Sequence, residues 1–299
     1  MSENQIHNNS SRKNLVIATI LNLIISIAEL IGGILSGSLA LFSDALHNLS
    51  DAFSTFIAWM ANIIAGKEST PQRTFGYKRI EILAALLNSV ILIGITLYLF
   101  AEAAERLKKP QEINSLLMLL VASIGLIANI IAVFLLHRDA RYSLNVKAAY
   151  LHLIGDSLSS VVVIIGGVLI YFYGLYWIDP VVTLFIGAYI LYEAVKILNE
   201  AVKILMQNTP PELNINKIKK VIEMDRRIRN IHHIHAWSLT DRKIYFEAHV
   251  DTLNDLALSE VNTLRKDIEK VLKKDFNIDH TTLQFEYHAC DDGMIKKKE

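Results

Sequence analysis

The chain has 299 residues, of which 52% are hydrophobic and 20% are charged, and its basic and acidic residues balance to a formal net charge of zero. A neutral chain has no overall field that would attract nucleic acid, so a nucleic-acid partner is not expected. The single cysteine, Cys290, excludes an internal disulfide framework. Charged residues are sparse in the first two thirds and dense in the last third, so two different kinds of domain are predicted.

The first two thirds of the chain contain long apolar stretches. A membrane-spanning helix needs about 20 mostly apolar residues to cross about 30 Å of hydrocarbon, and lipid requires its backbone to be helical. Six stretches meet this requirement: 14–35, 39–65, 80–105, 115–137, 147–172 and 178–205. The first lacks the short apolar region and cleavage site of a signal peptide, so we expect it to be retained. The sequence therefore predicts a polar tail at 1–13 and a six-helix transmembrane domain at 14–208.

The positions of lysine and arginine orient these helices in the bilayer. With the N-terminus inside, the inner segments hold nine basic residues: Arg12, Lys13, Lys67, Arg73, Lys78, Arg79, Arg138, Arg141 and Lys147. The outer loops then hold only Arg106, Lys108 and Lys109. The positive-inside rule predicts a multi-pass protein with both termini in the cytoplasm. The lack of long extensions favours a bacterial plasma membrane.

After Pro210 and Pro211 the pattern is typical of a small water-soluble domain. Helical and strand-like apolar patterns alternate in the order helix, strand, strand, helix, strand: 215–224, 231–239, 244–250, 258–272 and 281–287. This αββαβ order predicts a two-layer α+β domain at 209–290. A charged tail at 291–299 is expected to be disordered.

Two of the apolar stretches carry a histidine and an aspartate four residues apart. His47 and Asp51 lie in the second stretch, His152 and Asp156 in the fifth, and residues spaced by four share one helical face. A carboxylate near the bilayer centre costs at least about 2.5 kcal/mol, so two of them need compensation. A divalent cation supplies it, and two imidazoles with two carboxylates make a tetrahedral set suited to Zn²⁺. Cd²⁺ and Co²⁺ also accept these ligands, whereas Mg²⁺ and Ca²⁺ are disfavoured.

Other polar residues in these stretches have more than one interpretation. Asn22, Glu29, Asn88 and Asn129 could line an ion path, orient the metal ligands or form interhelical hydrogen bonds, and the last is the simplest for each residue alone. Asp44 lies near the outer end of the second stretch and is a candidate entry residue. The four ligands themselves could be structural hydrogen-bonding groups, but a doubled His-xxx-Asp pair argues against that reading.

Three functions compete for these features. A transport site must release its ion, and protonation of a histidine, whose ordinary pKa is about 6.5, removes a metal ligand and couples release to protons. An intramembrane metalloenzyme needs an open position for water on its zinc, and the sequence has no His-Glu-xx-His. A sensor anchored by inert helices would not need paired acids in the membrane. The sequence therefore predicts a transporter that exports Zn²⁺ in exchange for H⁺, not an enzyme.

These residues resemble the cation diffusion facilitators, specifically their zinc-transporting branch. The resemblance extends from about Lys13 to Cys290 and is carried by five segments: Ser43–Asp51, Thr74–Glu81, Tyr150–Ser157, Ile178–Pro180 and His235–Leu239. It implies a homodimer in the lipid bilayer, with cytoplasmic ferredoxin-like domains and alternating access. It also implies that His47, Asp51, His152 and Asp156 are the transport ligands, with Zn²⁺ as substrate and no prosthetic group.

The resemblance further implies a regulatory zinc site in the cytoplasmic domain, formed by His235, His249 and Glu286. Candidates to complete it are His232, His288 and Cys290. Gln284 and Asn262 stand where some bacterial members have further histidines, so one metal is expected there rather than two. Histidines at solvated strand ends would equally need no metal.

Two loops depart from the family pattern. The loop at 67–73 has no histidine, so a metal site that some members carry there is not expected. The loop at 137–147 has only one histidine, so the His-rich loop of many zinc members is missing too.

Overall fold

The computed structural model describes residues 3–65, 69–137, 140, 144–241 and 243–288. Within them the elements run α1 (Glu3–Ser36), α2 (Leu39–Ala65), α3 (Ile80–Lys108), α4 (Ser115–His137), α5 (Leu144–Tyr173), α6 (Ile178–Leu205), α7 (Ile215–Ile222), β1 (Ile228–Ser238), β2 (Ile244–Thr252), α8 (Leu258–Phe276) and β3 (His280–Tyr287). Cys290, the tail at 291–299 and parts of the loops at 67–73 and 137–147 lie outside the described residues.

The chain divides into two compact units. The first contains Met1–Met60 and Ala84–Leu198, and the second contains Ala61–Leu83 and Asn199–Glu299. The first is the helical bundle. The second holds the α+β domain, together with the segment that joins α2 to α3.

Helices α1 to α6 cover the six predicted stretches. The bounds of α2, α4 and α6 are those predicted, whereas α1 begins at Glu3 and α5 at Leu144. No glycine or proline precedes either apolar stretch closely enough to stop the helix, so it continues into polar residues. Among the described residues, α1 from Ile17, α3, α4, α5 from Ala149 and α6 are long and apolar enough to span a membrane. Helix α2 is of similar length, with 27 residues, and carries Asp44, His47, Asn48 and Asp51 among its apolar residues.

Polar contacts fix one end of the helical bundle. Gly37 makes the turn from α1 to α2 with a left-handed φ of 74°, which favours glycine, and its carbonyl accepts a hydrogen bond of 2.6 Å from Arg106. Asp179 at the start of α6 accepts hydrogen bonds from the Ser38 hydroxyl at 2.5 Å and the Leu39 N–H at 2.8 Å. Its carboxylate therefore caps the N-terminus of α2 and joins that helix end to α6.

The second unit contains the predicted αββαβ fold. Its sheet has the order β1-β2-β3, with β1 and β2 antiparallel and β2 and β3 parallel across the α8 crossover. Phe246, Ala248 and Val250 alternate along β2 on the face buried in one core with Leu264 and Leu272 of α8. Burying each large side chain of this kind contributes about 1.5–3 kcal/mol, so this layer holds the domain together.

The opposite face of the sheet carries aromatic rings. Trp237 of β1 stacks on Tyr245 of β2 with ring centroids 5.8 Å apart. Phe75, from the segment between α2 and α3, contacts the same tyrosine ring edge-on at 5.7 Å. The loop joining α2 to α3 therefore packs on the sheet, which explains why it belongs to this unit.

Candidate metal centres

The two predicted His-xxx-Asp pairs meet in the helical bundle. Within α2, His47 Nε2 lies 3.6 Å from Asp51 Oδ2, and within α5, His152 Nε2 lies 3.6 Å from Asp156 Oδ2. Between the helices, His152 Nε2 lies 3.2 Å from Asp51 Oδ2, and the two imidazole centroids are 6.1 Å apart. These contacts link all four side chains across α2 and α5. We call this group the membrane cluster.

The membrane cluster has buried polar atoms that its own residues do not satisfy. Asp51 Oδ2, Asp156 Oδ2 and His47 Nδ1 are buried and make no hydrogen bond of good geometry. The Asp156 side chain is only 2% exposed. Unsatisfied buried carboxylate oxygens are costly, and a bound cation would satisfy those near the imidazoles. The donor set therefore fits a small divalent ion as cargo.

A cavity of about 430 Å³ opens beside Asp51 and His152. Other residues that line it come from five helices: Thr19, Thr55, Leu136, Ala149 and Ile197. All five lie at the end of the bundle where α6 runs toward the C-terminal domain. The His152 side chain is 42% exposed and lines this cavity.

Toward the other end of α2, Asp44 is wholly buried rather than exposed in an entry vestibule. Its Oδ1 accepts a hydrogen bond of 2.5 Å from the Ser159 hydroxyl, and its Oδ2 one of 3.4 Å from Ser160. Asp44 therefore joins α2 to α5 one turn beyond the membrane cluster. Together with the Asp179 cap, it joins helices α2, α5 and α6 at this end of the bundle.

Asn88 shows the interhelical hydrogen bonding that its sequence position suggested. Its side-chain N–H groups donate to the Ser50 and Ser54 hydroxyls at 3.2 and 2.7 Å, which ties α3 to α2. Asn88 is therefore accounted for by helix packing.

A second cluster of histidines lies in the C-terminal domain. Ligand nitrogens of His232, His233 and His249 lie within 4.8 Å of one another. Glu286 on β3 reaches the same group, with Oε1 2.8 Å from His249 Nδ1 and Oε2 3.3 Å from His232 Nε2. Three imidazoles and a carboxylate are a donor set that Zn²⁺ accepts. We call these four residues the sheet cluster.

An irregularity in β1 creates the sheet cluster. His232 pairs with His249, but the register shifts before His235, and His233 has a left-handed φ of 47°. A non-glycine residue in that region is uncommon, although histidine is among the types that tolerate it. The irregularity lets two consecutive histidines both reach His249, with ring centroids 5.4 and 4.7 Å from it.

The buried atoms of the sheet cluster support metal binding. His232 is 1% exposed, and its Nδ1 is buried without a hydrogen-bond partner. Such a nitrogen normally finds a donor, an acceptor or a metal. The residues present therefore fit a bound zinc ion.

Only part of the predicted cytoplasmic set falls in the sheet cluster. His249 and Glu286 are in it, whereas His235 is exposed, lies opposite Glu247 and borders a separate pocket of about 320 Å³ with Trp237. His288 lies 3.1 Å from an Arg229 guanidinium nitrogen. His233 belongs to the sheet cluster although it was not predicted as a ligand. The only signal for it was the His232-His233 doublet at the start of a strand.

Comparison with known proteins agrees with both domains. Residues 15–206 match the model of the cation efflux transmembrane domain, and residues 210–288 match that of the cation efflux protein cytoplasmic domain. The chain belongs to the cation efflux family. The family resemblance inferred from the sequence is therefore confirmed. The chain is a multi-pass cation efflux transporter with a cytoplasmic C-terminal domain, not an enzyme.

Several relatives are similar over nearly their whole length. The zinc transporter ZitB of Pectobacterium atrosepticum is 38% identical over 98% of this chain and 91% of its own. The metal cation efflux system protein CzcD of Cupriavidus metallidurans is 37% identical over 95% and 90%. A cadmium, cobalt and zinc/H(+)-K(+) antiporter of Bacillus subtilis is 37% identical over 95% and 92%.

Proposed function

We propose that this chain exports Zn²⁺ from the cytoplasm across the plasma membrane in exchange for protons, and that the membrane cluster carries the ion. The observation that supports this most directly is the contact between the two His-xxx-Asp pairs across α2 and α5, next to a cavity. Two helices that each supply half of the ligands can alter the site by moving relative to each other.

The ligand types support zinc as the cargo. Imidazole prefers Zn²⁺, Cd²⁺ and Co²⁺ over Mg²⁺ and Ca²⁺, and two carboxylates complete a tetrahedral set for a divalent ion. Relatives of nearly equal similarity are described as zinc transporters and as a cadmium, cobalt and zinc antiporter. Zinc is common to both descriptions, so it is the cargo we propose, with cadmium and cobalt as competitors.

The two ends of the bundle support alternating access. The cavity reaches Asp51 and His152 from the end of α6 that leads to the cytoplasmic domain, so this conformation is loaded from the cytoplasm. Release on the other side requires the hydrogen bonds from Ser159 and Ser160 to Asp44 to open. These bonds form the outer gate in our proposal.

Proton coupling follows from the chemistry of the ligands. A protonated imidazole has lost the lone pair that binds metal, so protons entering from outside displace zinc from His47 and His152. Asp51 and Asp156 keep the site attractive to cations throughout the cycle. The exchange thereby uses the proton gradient to drive zinc outward.

The sheet cluster is a candidate regulatory site in a homodimer. Zinc bound by His232, His249 and Glu286, with His233 as a further ligand, would cross-link all three strands of the sheet. If such binding favours one relative position of two subunits, cytoplasmic zinc controls transport through a coupling free energy. His235, which the family resemblance implies as a ligand, stays a prediction.

The test is metal flux into sealed vesicles that contain the purified full chain, under an imposed pH gradient. Zinc uptake should follow the gradient, exceed manganese uptake, and vanish in His152→Ala. Thr55→Val is the matched control, because Thr55 lines the same cavity without belonging to the membrane cluster. Zinc binding without flux in the unmodified protein would overturn the transport proposal and favour a metal sensor.

A further inference from the structure

Glu29 is a carboxyl group inside the membrane domain that the four metal ligands do not account for. It lies in the apolar part of α1 and is 1% exposed. Its Oε2 accepts one hydrogen bond, of 3.3 Å, from the Asn48 amide on α2, and its Oε1 is buried without a partner. A buried carboxylate with only one of its oxygens hydrogen-bonded destabilises the membrane domain unless a cation or a proton binds it.

Helix α4 is shaped to accommodate this carboxyl. A Cβ atom added at Gly125 would overlap Glu29 Oε1 and lie 3.1 Å from its Cδ, so a larger residue there would displace the carboxyl group. One turn further along α4, Asn129 is fully buried, and neither its amide oxygen nor its amide nitrogen makes a hydrogen bond. Three helices thus enclose Glu29 in a small polar compartment.

The charged groups that act on Glu29 are acidic. Among the residues that the structure describes, no lysine, arginine or histidine pairs with it, and its charged neighbours are Asp44 on α2 and Asp156 on α5. Further negative charge on Glu29 would repel both. A proton is the positive group that fits best, because Glu29 is 1% exposed and Asn48 of α2 and Gly125 of α4 lie against its carboxyl group.

We propose that Glu29 is a further binding position for exchanged protons, in addition to the histidines of the membrane cluster and separate from them. This inference rests on the proposed zinc/proton exchange. Zinc in the membrane cluster neutralises nearby negative charge and so favours loss of the proton from Glu29. Departure of zinc restores that charge and favours proton uptake. The coupling is reciprocal: a proton on Glu29 weakens the attraction of the site for zinc. Asn48, the residue after His47, links this proton position to the ligand helix.

The decisive variant is Glu29→Gln, which keeps the shape of the side chain and cannot carry the exchanged proton. Two zinc fluxes are measured in vesicles: uptake driven by a pH gradient, and zinc-for-zinc exchange at equal pH, which needs no net proton movement. Relative to the unmodified protein, we expect pH-driven uptake to fall at least about 10-fold and zinc-for-zinc exchange to stay within about 2-fold. A loss of this size corresponds to the free energy of one coupling interaction between proton and zinc. Ser26→Ala is the matched control on the same face of α1, because the Ser26 hydroxyl donates its hydrogen bond within its own helix, to the Asn22 carbonyl.

Two further variants test the proposal even if Glu29→Gln does not fold. Glu29→Asp retains a carboxyl and should keep driven uptake with a displaced pH profile. Gly125→Ala crowds Oε1 and should weaken driven uptake more than exchange.

Three results would overturn the inference. Unchanged driven uptake in Glu29→Gln shows that the proton binds elsewhere. Equal loss of both fluxes in a folded, zinc-binding variant assigns Glu29 to the conformational change. Uptake that follows a potassium gradient and loses this dependence in Glu29→Gln assigns the compartment to K⁺. By contrast, absence of any zinc flux in the unmodified protein would contradict the proposed function itself.

Discussion

The membrane cluster and the sheet cluster use the same residue types and differ in what holds them. In the membrane, two helices each present one histidine and one aspartate, and a cavity reaches the ligands from one end. In the cytoplasmic domain, hydrogen-bonded strands fix the ligands, and His232 is almost fully buried. Helices can shift relative to each other, whereas strands in one sheet cannot do so without breaking their ladder. The first arrangement suits an ion that must leave, and the second suits an ion that stays.

Removing a carboxylate from each cluster should give the largest difference between them. Asp51→Ala should lower zinc flux at least about 100-fold, because it removes a metal ligand and leaves both histidines without their shared acid. Glu286→Ala should leave flux at saturating zinc within about 3-fold, because a regulatory site changes the response rather than the path. Flux assays in vesicles compare the two. Equal losses would mean that the sheet cluster takes part in transport.

A ligand exchange in the membrane cluster should change its ion preference. His152→Asp replaces an imidazole by a hard oxygen ligand, which Mn²⁺ accepts more readily than Zn²⁺ does. We expect zinc uptake to fall about 10-fold and manganese uptake to rise above background, measured side by side in the same vesicles. Manganese uptake that stays at background would show that more than the ligand types determines selectivity.

The metal content of two variants distinguishes the sheet cluster from the ligand set that the family resemblance implies, which includes His235. His249→Ala should lower the zinc bound per chain by about one at neutral pH while flux persists, because its imidazole faces both His232 and Glu286. His235→Ala is the comparison, since His235 lies opposite Glu247 instead. Elemental analysis of the purified full chain gives the answer. If His235→Ala loses the ion and His249→Ala keeps it, the sheet cluster is not the metal site.

The smallest effect is expected at an ion pair away from both clusters. Arg227 donates to Asp225 and Asp267, at 2.7 and 2.8 Å through Nη2, and these bonds lower the pKa of Asp225 and raise that of Arg227. Arg227 and its two aspartate partners are all partly exposed. Arg227→Ala should therefore lower the free energy of unfolding by only about 0.2–1 kcal/mol, or the Tm of the cytoplasmic domain by a few degrees.

The pH dependence of this pair has a definite sign. Because the pKa of Asp225 is lowered by folding, its contribution is fully present above the unfolded value of about 3.9 and is lost as pH falls through the folded value. Thermal scans of Arg227→Ala and the unmodified chain should therefore differ at pH 7, and they should converge only as the pH falls from about 4 through the lowered pKa of Asp225. A difference that grows in acid would contradict this account.

The sequence predicted the membrane cluster better than the sheet cluster for a physical reason. Spacing by four fixes which side chains share a helical face, so each His-xxx-Asp pair could be recognised without knowing the fold. The ends of the apolar stretches likewise predicted the bounds of α2, α4 and α6. The sheet cluster depends on the irregularity at His233, where one left-handed residue redirects a side chain. Periodicity does not encode such an event, and the extension of α1 to Glu3 was missed because polar residues can continue a helix.

The Asp179 cap also has a mechanical meaning. The Asp179 carboxylate holds the outer end of α2 against α6, so a tilt of α2 would pivot near Leu39, which is the fulcrum of the motion. At about 1.5 Å per residue, the ligands His47 and Asp51 lie about 12–18 Å from that fulcrum and the inner tip at Ala65 about 39 Å. A tilt that shifts the ligands slightly is thus magnified two- to threefold at the tip, next in sequence to the loop whose Phe75 rests on the sheet.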